Sequence, residues 1–182
     1  MLEIIQNIDE SILFFIQNNI RNPILDKLMV FITTLGNAGA IWLLISILLM
    51  LNKRFRKIGF MASMAYMLTA ILGEGVLKNV IQRGRPFESM KGIELLISKP
   101  SSFSFPSGHT GFSFAATGVL AKYFRKYRIP LFILASLMAF SRVYLCVHYP
   151  SDIIGGIILG LICSQISIWV FDRESESAGI SM

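Results

Sequence analysis

The chain of 182 residues contains two histidines, and each stands among residues that can bind or attack a phosphate group. In the stretch SRVYLCVHYPSD, Asp152 follows His148 by four positions. A carboxylate at that spacing can hydrogen-bond one imidazole nitrogen, fix the tautomer and make the other nitrogen more nucleophilic. Arg142, which we expect in the same helix as His148, can reach an anion that the histidine attacks. The alternative is a His–Asp pair that only joins two helices.

The second histidine, His109, belongs to the stretch FPSGH. Proline favours the first position of a helix, so we expect Ser107, Gly108 and His109 to open a helix. Their backbone N–H groups would then be free to receive a phosphate, and glycine lets an anion approach the backbone closely. His109 adds a proton that titrates near neutral pH. A helix cap with an interfacial histidine is the alternative.

A third cluster combines Lys78 with Arg85, which Pro86 follows. Seven positions are about two helical turns, so both cations can project from one helix face and grip a single anion. Lys78 also follows Glu74 by four positions, a spacing that permits an ion pair. A structural Glu74–Lys78 pair, with Arg85 as an interfacial anchor, would explain this cluster without a function.

The elements that must position these clusters are predicted to be membrane helices. The chain is 54% hydrophobic and 15% charged, with a mean hydropathy of +0.63, whereas soluble domains are about 45–50% apolar and about 25% charged. A membrane span needs roughly 20 apolar residues. The sequence predicts five such spans, at about residues 37–52, 58–80, 107–124, 129–148 and 151–171.

Basic residues fill two of the gaps between these spans, residues 53–57 and 122–128. Short basic loops mark the cytoplasmic side of a membrane protein. The connections at 83–106 and 148–151 then lie outside, and all three clusters come to the outer face. The net charge of +6 is therefore interpreted as a topology signal and not as a nucleic-acid surface. Ionisable groups at membrane depth are costly, so their convergence predicts a phosphate site.

The remaining segments are expected to frame this core. Residues 1–35 are predicted to form amphipathic interfacial helices, because apolar residues recur at helical spacing and Asn22-Pro23 interrupts them. We predict one all-α membrane-embedded domain, residues 1–182, with a core at 37–171 and a cytoplasmic tail at 172–182. The 86–105 loop is interpreted as either an outer lid or an ordinary connection. Two cysteines lie in apolar runs without metal-ligand spacing, so neither a disulfide nor a metal site is expected.

Together the three clusters resemble the signature motifs of the type 2 phosphatidic acid phosphatase family, which shares its site with vanadium-dependent haloperoxidases. The motifs span residues 78 to 152, and the five predicted spans fit the family core. The six-span members carry an additional N-terminal span, whose place is taken here by the amphipathic segment. The resemblance implies an enzyme that needs no metal or other cofactor and works through a phosphohistidine intermediate.

The resemblance also implies a role for each motif residue. His148 would attack phosphorus, Asp152 would orient it, and His109 would protonate the leaving oxygen and then activate water. The phosphoryl oxygens would be held by a set of cationic and N–H donors: Lys78, Arg85, Ser107, Gly108 and Arg142. These assignments agree with the importance of positioning and electrostatic stabilisation in phosphoryl transfer.

The implied protein is a multi-pass lipid phosphatase of a bacterial plasma membrane, with its site facing outside. Its partners would be a lipid phosphate and the bilayer; the sequence indicates neither nucleic acid nor a protein partner. Undecaprenyl diphosphate is the first choice of substrate, and phosphatidylglycerophosphate or phosphatidate is the alternative. A non-catalytic lipid-phosphate carrier would use the same cations. A haloperoxidase is disfavoured by the spans. A serine hydrolase on Ser107 and His109 is disfavoured because an acid partner and a nucleophile elbow are missing.

Overall fold

The computed structural model describes residues 2–90 and 93–177, and in those ranges the regular structure is helical, as predicted. The α-helices follow one another along the chain as α1 (Leu2–Asn19), α2 (Pro23–Leu35), α3 (Ala40–Leu51), α4 (Arg56–Thr69), α5 (Lys78–Ile81), α6 (Pro86–Ser89), α7 (Gly108–Tyr123), α8 (Arg128–Tyr144) and α9 (Pro150–Ser177). Helix α4 continues into α5 through a π-helical segment, Ala70–Leu77.

Helix α7 lies at the centre of the bundle and packs against α4, α8 and α9. Small residues allow α7 and α9 to approach closely: a Cβ atom at Gly156 would lie 2.7 Å from Ser107 O, and one at Gly160 would overlap Gly111 O. Such small-residue contacts are typical of helices that pack inside a membrane. Because both helices begin at the same end of the bundle, their first turns come together there.

Among the described residues, two helical stretches are long and apolar enough to cross a membrane: Arg56–Ser89, which runs from α4 to α6, and Pro150–Arg173. A third crossing is possible if Pro23–Leu35 and Asn37–Leu51, which are bent by 43° at their junction, form one span. The other two predicted spans correspond to α7 and α8, with 16 and 17 residues. At 1.5 Å per residue these are about 24 and 26 Å long, somewhat shorter than the hydrocarbon core of about 30 Å.

The N-terminal segment forms two helices, as expected, and its apolar stripe faces away from the protein. Ile5, Ile8, Ile12 and Phe15 are exposed on α1, whereas Asp9 and Leu13 are buried. Helix α2 begins where Asn22 accepts hydrogen bonds from the backbone of Ile24 and Leu25, as an N-cap residue does. The bend between α2 and α3 makes α2 a candidate half of a broken span, which the interfacial interpretation of residues 1–35 did not anticipate.

Three local predictions near the clusters were wrong. His148 is not in the same helix as Arg142, because α8 ends at Tyr144 and Cys146 adopts a left-handed φ of 53°. Lys78 and Arg85 do not share a helix face, because α5 ends at Ile81 and Gln82 has a φ of 50°. Helix α7 begins at Gly108, so Pro106 lies outside its first turn.

Candidate active site

His148 and Asp152 form the buried centre of the site. The turn after α8 is closed by the N–H groups of Val147 and His148, which both donate to the Arg142 carbonyl oxygen. Asp152 lies in the first turn of α9. His148 Nδ1 is 3.5 Å from Asp152 Oδ2 and 3.4 Å from Ser104 Oγ. The Nδ1 side of the ring therefore faces the carboxylate.

Ser104 links the carboxylate to the imidazole. Its hydroxyl donates to Asp152 Oδ2 at 2.5 Å, and that same oxygen accepts from the backbone N–H of Tyr149 at 2.9 Å. Ser104 is not among the predicted site residues and lies in the 86–105 loop, for which a lid or an ordinary connection was predicted. The loop therefore contributes a side chain to the site itself.

Arg85 faces the other nitrogen of the nucleophile candidate. Its Nη1 lies 3.3 Å from His148 Nε2 and donates to the Val147 carbonyl oxygen at 2.7 Å. Its Nε donates to the Ser102 carbonyl oxygen at 2.7 Å, which fixes the plane of the guanidinium group. A cation next to Nε2 can hold an anion where that nitrogen can reach it.

Lys78 stands beside Arg85 through a shared serine and not through a shared helix face. Its Nζ donates to Ser102 Oγ at 3.0 Å and pairs with Glu74 Oε1 at 2.9 Å. The Glu74–Lys78 ion pair anticipated as a structural explanation is therefore present. It does not exclude phosphate binding, because an ammonium group has three donors.

Arg142 is buried with few partners. Its Nη1 donates to Thr33 Oγ1 of α2 at 2.5 Å. Among the described residues, its Nε has no hydrogen-bond partner, and no carboxylate pairs with it in an ion pair. A buried guanidinium without a counter-charge is costly, so a bound anion would satisfy it.

The FPSGH stretch also comes to this site, in a different way from that predicted. Ser107 precedes α7, and its backbone N–H is not free because it donates to the Asp152 carbonyl oxygen at 3.1 Å. Its hydroxyl accepts from Thr110 Oγ1 at 3.0 Å. At Gly108 a Cβ would overlap Glu74 Oε1, so a larger residue there would require the Glu74 side chain to move. His109 Nε2 lies 3.2 Å from Asn37 Oδ1, which accepts from it when Nε2 carries the hydrogen.

The predicted side chains therefore converge. Lys78 interacts electrostatically with both Arg85 and Arg142, and His109 interacts with Arg142 and His148. The chain thus brings the two histidines, Asp152 and the three predicted cations into one region. Within residues 2–90 and 93–177, no group of three His, Cys, Asp or Glu side chains is arranged as a metal site.

One charged residue of this region was missed by the sequence analysis. Arg83 donates to Asp152 Oδ1 at 2.7 Å and to Asp9 Oδ2 at 2.7 Å. It lies only two positions before Arg85, and the acidic Asp9 interrupts the amphipathic pattern of α1. Those two signals were available, but nothing local connects positions 9 and 83.

A histidine–carboxylate pair next to buried cations, beside helices long and apolar enough to cross a membrane, is the arrangement that a membrane-embedded phosphatase needs. Residues 59–176 match the model of the PAP2 superfamily. The chain is 35% identical to an undecaprenyl-diphosphatase of Sulfolobus acidocaldarius, across 91% of this chain and 80% of that protein. It is 31% identical to a lipid A 4'-phosphatase of Bacteroides thetaiotaomicron, across 88% and 75% of the two chains.

A solved structure shares the fold. The crystal structure of a transmembrane PAP2-type phosphatidylglycerolphosphate phosphatase from Bacillus subtilis superimposes with a TM-score of 0.77 at 28% identity, covering 92% of this chain and 86% of that one. The chain therefore belongs to the PAP2 superfamily, which confirms the family resemblance of its motifs. It is an integral membrane lipid phosphatase that acts on a lipid phosphate.

Proposed function

We propose that the protein hydrolyses undecaprenyl diphosphate to undecaprenyl phosphate and inorganic phosphate at the outer face of the membrane. The observation that carries the chemistry is the orientation of His148, whose Nδ1 faces Asp152 and whose Nε2 lies 3.3 Å from Arg85 Nη1. This arrangement leaves Nε2 as the nucleophile, next to a cation that can hold the phosphoryl group.

The reaction proceeds in two steps. His148 Nε2 forms a bond to the terminal phosphorus while the bond to the bridging oxygen breaks, and His109 donates a proton to that leaving oxygen. Water then attacks the phosphohistidine, His109 takes its proton, and the N–P bond breaks to release phosphate. Asp152 holds the imidazole in one tautomer throughout.

The phosphoryl oxygens are bound by Lys78, Arg85 and Arg142, with Ser107 Oγ and the Gly108 N–H as further donors. Fixed cations stabilise the negative charge of the transferring group, which is the main requirement of phosphoryl transfer. The unpartnered Nε of Arg142 supports this assignment. These side chains supply the positive charge that metal ions provide in other phosphatases, so the proposed reaction is independent of metal.

The proposed topology is a single domain, residues 1–182, with five spans. Helices α7 and α8 complete the crossings as the two shorter spans. Both basic loops, 53–57 and 122–128, lie in the cytoplasm under the positive-inside rule. His109, Arg142 and His148 then lie at the outer surface, where a lipid phosphate would sit with its chain in the bilayer.

Undecaprenyl diphosphate ranks first because the undecaprenyl-diphosphatase of Sulfolobus acidocaldarius matches most of this chain. Phosphatidylglycerophosphate, or phosphatidate with broad specificity, is the second candidate, and the Bacillus structure favours the first of these two lipids. All of these lipids present a terminal phosphate at the membrane surface. The site residues recognise that phosphate, and none of them distinguishes the lipid chains.

Phosphate release from purified protein tests the proposal. Wild type and His148→Ala are assayed with EDTA on undecaprenyl diphosphate, phosphatidylglycerophosphate and phosphatidate. We expect release that survives EDTA, vanishes in the variant and is fastest on undecaprenyl diphosphate. A faster rate on another lipid would replace the substrate. Release by His148→Ala would overturn the mechanism, and no release by folded wild type would favour a carrier.

A further inference from the structure

Helix α1 reaches the site although it lies outside the three motifs. Its Asp9 is only 2% exposed, and a carboxylate is rarely buried to that extent unless it has partners. Asp9 Oδ1 accepts from the backbone N–H of Ser151 at 2.9 Å, and Oδ2 accepts from Arg83 Nη2 at 2.7 Å and from the Ser151 hydroxyl. Asp9 thus joins α1 to the beginning of α9, one residue before Asp152.

Arg83 bridges this carboxylate and the one in the site. Its Nη2 donates to Asp9 Oδ2 and to Gln6 Oε1, both at 2.7 Å. Its Nη1 donates to Asp152 Oδ1 at 2.7 Å and to Ser151 Oγ at 2.6 Å. The guanidinium carbon also lies 4.0 Å from the centre of the Tyr149 ring. A planar group held at both ends and on one face has little freedom to rotate.

The contacts of Asp152 show what this bridge fixes. Oδ2 accepts from Ser104 and from the Tyr149 backbone and faces His148, whereas Oδ1 is bound by Arg83. Asp152 is fully buried, and Arg83 is the arginine that pairs with it. Removing Arg83 would leave a buried carboxylate without its counter-charge and with one oxygen unbound, so the carboxylate could turn away from the imidazole.

We propose that Arg83, itself held by Asp9 of α1, is a positioning residue for Asp152, and that α1 is thereby a working part of the phosphatase. The inference rests on the proposed function, in which Asp152 orients His148. Arg83 contacts Asp152 from the side of Oδ1, away from the imidazole. It therefore acts on the rate of phosphoryl transfer and not on the binding of the lipid phosphate.

A purely structural role for Arg83, as an anchor of α1, makes a different prediction. The chain offers a matched control in Arg21, which anchors the other end of α1. Its Nη1 donates to Gln17 Oε1 at 2.9 Å and to the Glu94 carbonyl oxygen at 3.3 Å, and its Nε pairs with Asp26 at 3.5 Å. Arg21 contacts neither Asp152 nor His148. If anchoring were the only role, the two arginines would behave alike.

The experiment compares Arg83→Gln, Arg83→Lys and Asp9→Asn with Arg21→Gln in the full-length protein. We expect Arg83→Gln to lower kcat about 10-fold to 100-fold with little change in KM, the range found when an outer contact of a functional ligand is removed at metal sites. Arg83→Lys should have a higher kcat than Arg83→Gln, because lysine keeps the positive charge but not the planar guanidinium group that binds both carboxylates. Asp9→Asn should fall between wild type and Arg83→Gln, and Arg21→Gln should match wild type.

Binding of orthovanadate, a phosphate analogue that accepts a histidine nitrogen as an additional ligand, gives a readout without a lipid. Wild type should bind it and His148→Ala should not. Arg83→Gln should bind it more weakly, because the bond to vanadium, unlike the binding of a lipid phosphate, needs His148 in the orientation that Asp152 holds. In an Asp152→Asn background, Arg83→Gln should cause no further loss, because both changes act through one carboxylate.

The outcomes separate the two proposals. Wild-type protein that neither releases phosphate nor binds orthovanadate would overturn the proposed function and this inference with it. Active wild type whose kcat is unchanged in Arg83→Gln, or equally reduced in Arg21→Gln, would overturn the inference alone. Additive losses in the Asp152→Asn background would also contradict it. If Arg83→Gln does not fold, Arg83→Lys is compared with Arg21→Gln. A lower kcat in Arg83→Lys supports the inference, and equal kcat values contradict it.

Discussion

The leaving group determines how much His109 contributes to each reaction as the proposed acid. Undecaprenyl diphosphate releases a phosphate monoester, which is stable as an anion, whereas phosphatidate releases an alkoxide, which needs a proton as its bond breaks. We therefore expect His109→Gln to slow phosphatidate hydrolysis more than undecaprenyl diphosphate hydrolysis. The loss on phosphatidate should fall within the range of about 100-fold to 10,000-fold for a general acid.

The measurement is kcat/KM on both lipids, because this ratio reports the steps up to the first irreversible one, here the proposed phosphoryl transfer to His148. His148→Ala is the control and should be inactive on both. Equal losses on the two lipids in His109→Gln would show that His109 does not protonate the leaving group.

Arg142 is expected to reduce stability while it supports activity. It is buried, donates to Thr33 Oγ1, and its Nε has no partner in the described part of the chain. Replacing a poorly compensated buried charge with an apolar side chain of similar volume is often neutral or stabilising. Arg142→Met should therefore keep or raise the thermal unfolding midpoint while lowering kcat about 100-fold to 1,000-fold, as when one transition-state donor is lost.

Thermal unfolding and phosphate release, measured in the same detergent, test this prediction. Arg54→Met, in the basic loop 53–57, is the matched control because Arg54 is exposed; it should change neither property. A large fall in the unfolding midpoint of Arg142→Met would instead give Arg142 a structural role.

At the scale of helices, the close packing of α7 on α9 holds His109 and Asp152 on neighbouring first turns. A methyl group at Gly160 would overlap the Gly111 carbonyl oxygen, and its distance to the Ala115 nitrogen would be 2.9 Å. Gly160→Ala should therefore push the helices apart, with a loss of stability of about 1–3 kcal/mol, typical of overpacking, and with reduced phosphate release.

Gly75→Ala serves as the comparison, because a Cβ there meets only the Ala70 carbonyl oxygen at 3.9 Å. Alanine at that position should leave the unfolding midpoint unchanged or raise it. If Gly160→Ala were as stable and active as Gly75→Ala, close backbone packing would not be required to assemble the site.

The helices and the membership of the site could be predicted from local sequence. Helices α7 and α9 begin one residue from the predicted starts at 107 and 151, and Pro150 opens α9 as a proline at the first helical position does, whereas Pro106 lies before α7. The three motifs each place their residues at a helix end, so topology alone brings those ends to one face. The apolar stripe of α1 could likewise be predicted from its period.

Other features depend on contacts that no local pattern encodes. The turn that separates His148 from α8 requires Cys146 in the left-handed conformation. A small apolar residue gives no sequence signal for that conformation. The Arg83–Asp9 pair joins residues 74 positions apart. Ser104 was not identified because a single serine in a loop gives no signal until the carboxylate it binds is placed beside it.

The topology of the whole molecule is tested by labelling single cysteines with a membrane-impermeant maleimide on intact cells. The native cysteines, Cys146 and Cys163, are buried and should react little. Lys99→Cys, exposed in the 83–106 loop, should label from outside. Lys53→Cys, exposed in a basic loop, should label only after the membrane is permeabilised. The reverse pattern would place the site in the cytoplasm.

Helix α1 has two faces with different neighbours. Ile5, Ile8, Ile12 and Phe15 point away from the protein, whereas Asp9 on the inner side holds Arg83 and, through it, Asp152. The lipid or detergent around the outer face therefore contacts a helix that is linked to Asp152 through two ion pairs, Asp9–Arg83 and Arg83–Asp152. Turnover in a micelle and turnover in a lipid vesicle are then properties of the protein together with its surfactant, and rates of variants are comparable only within one medium.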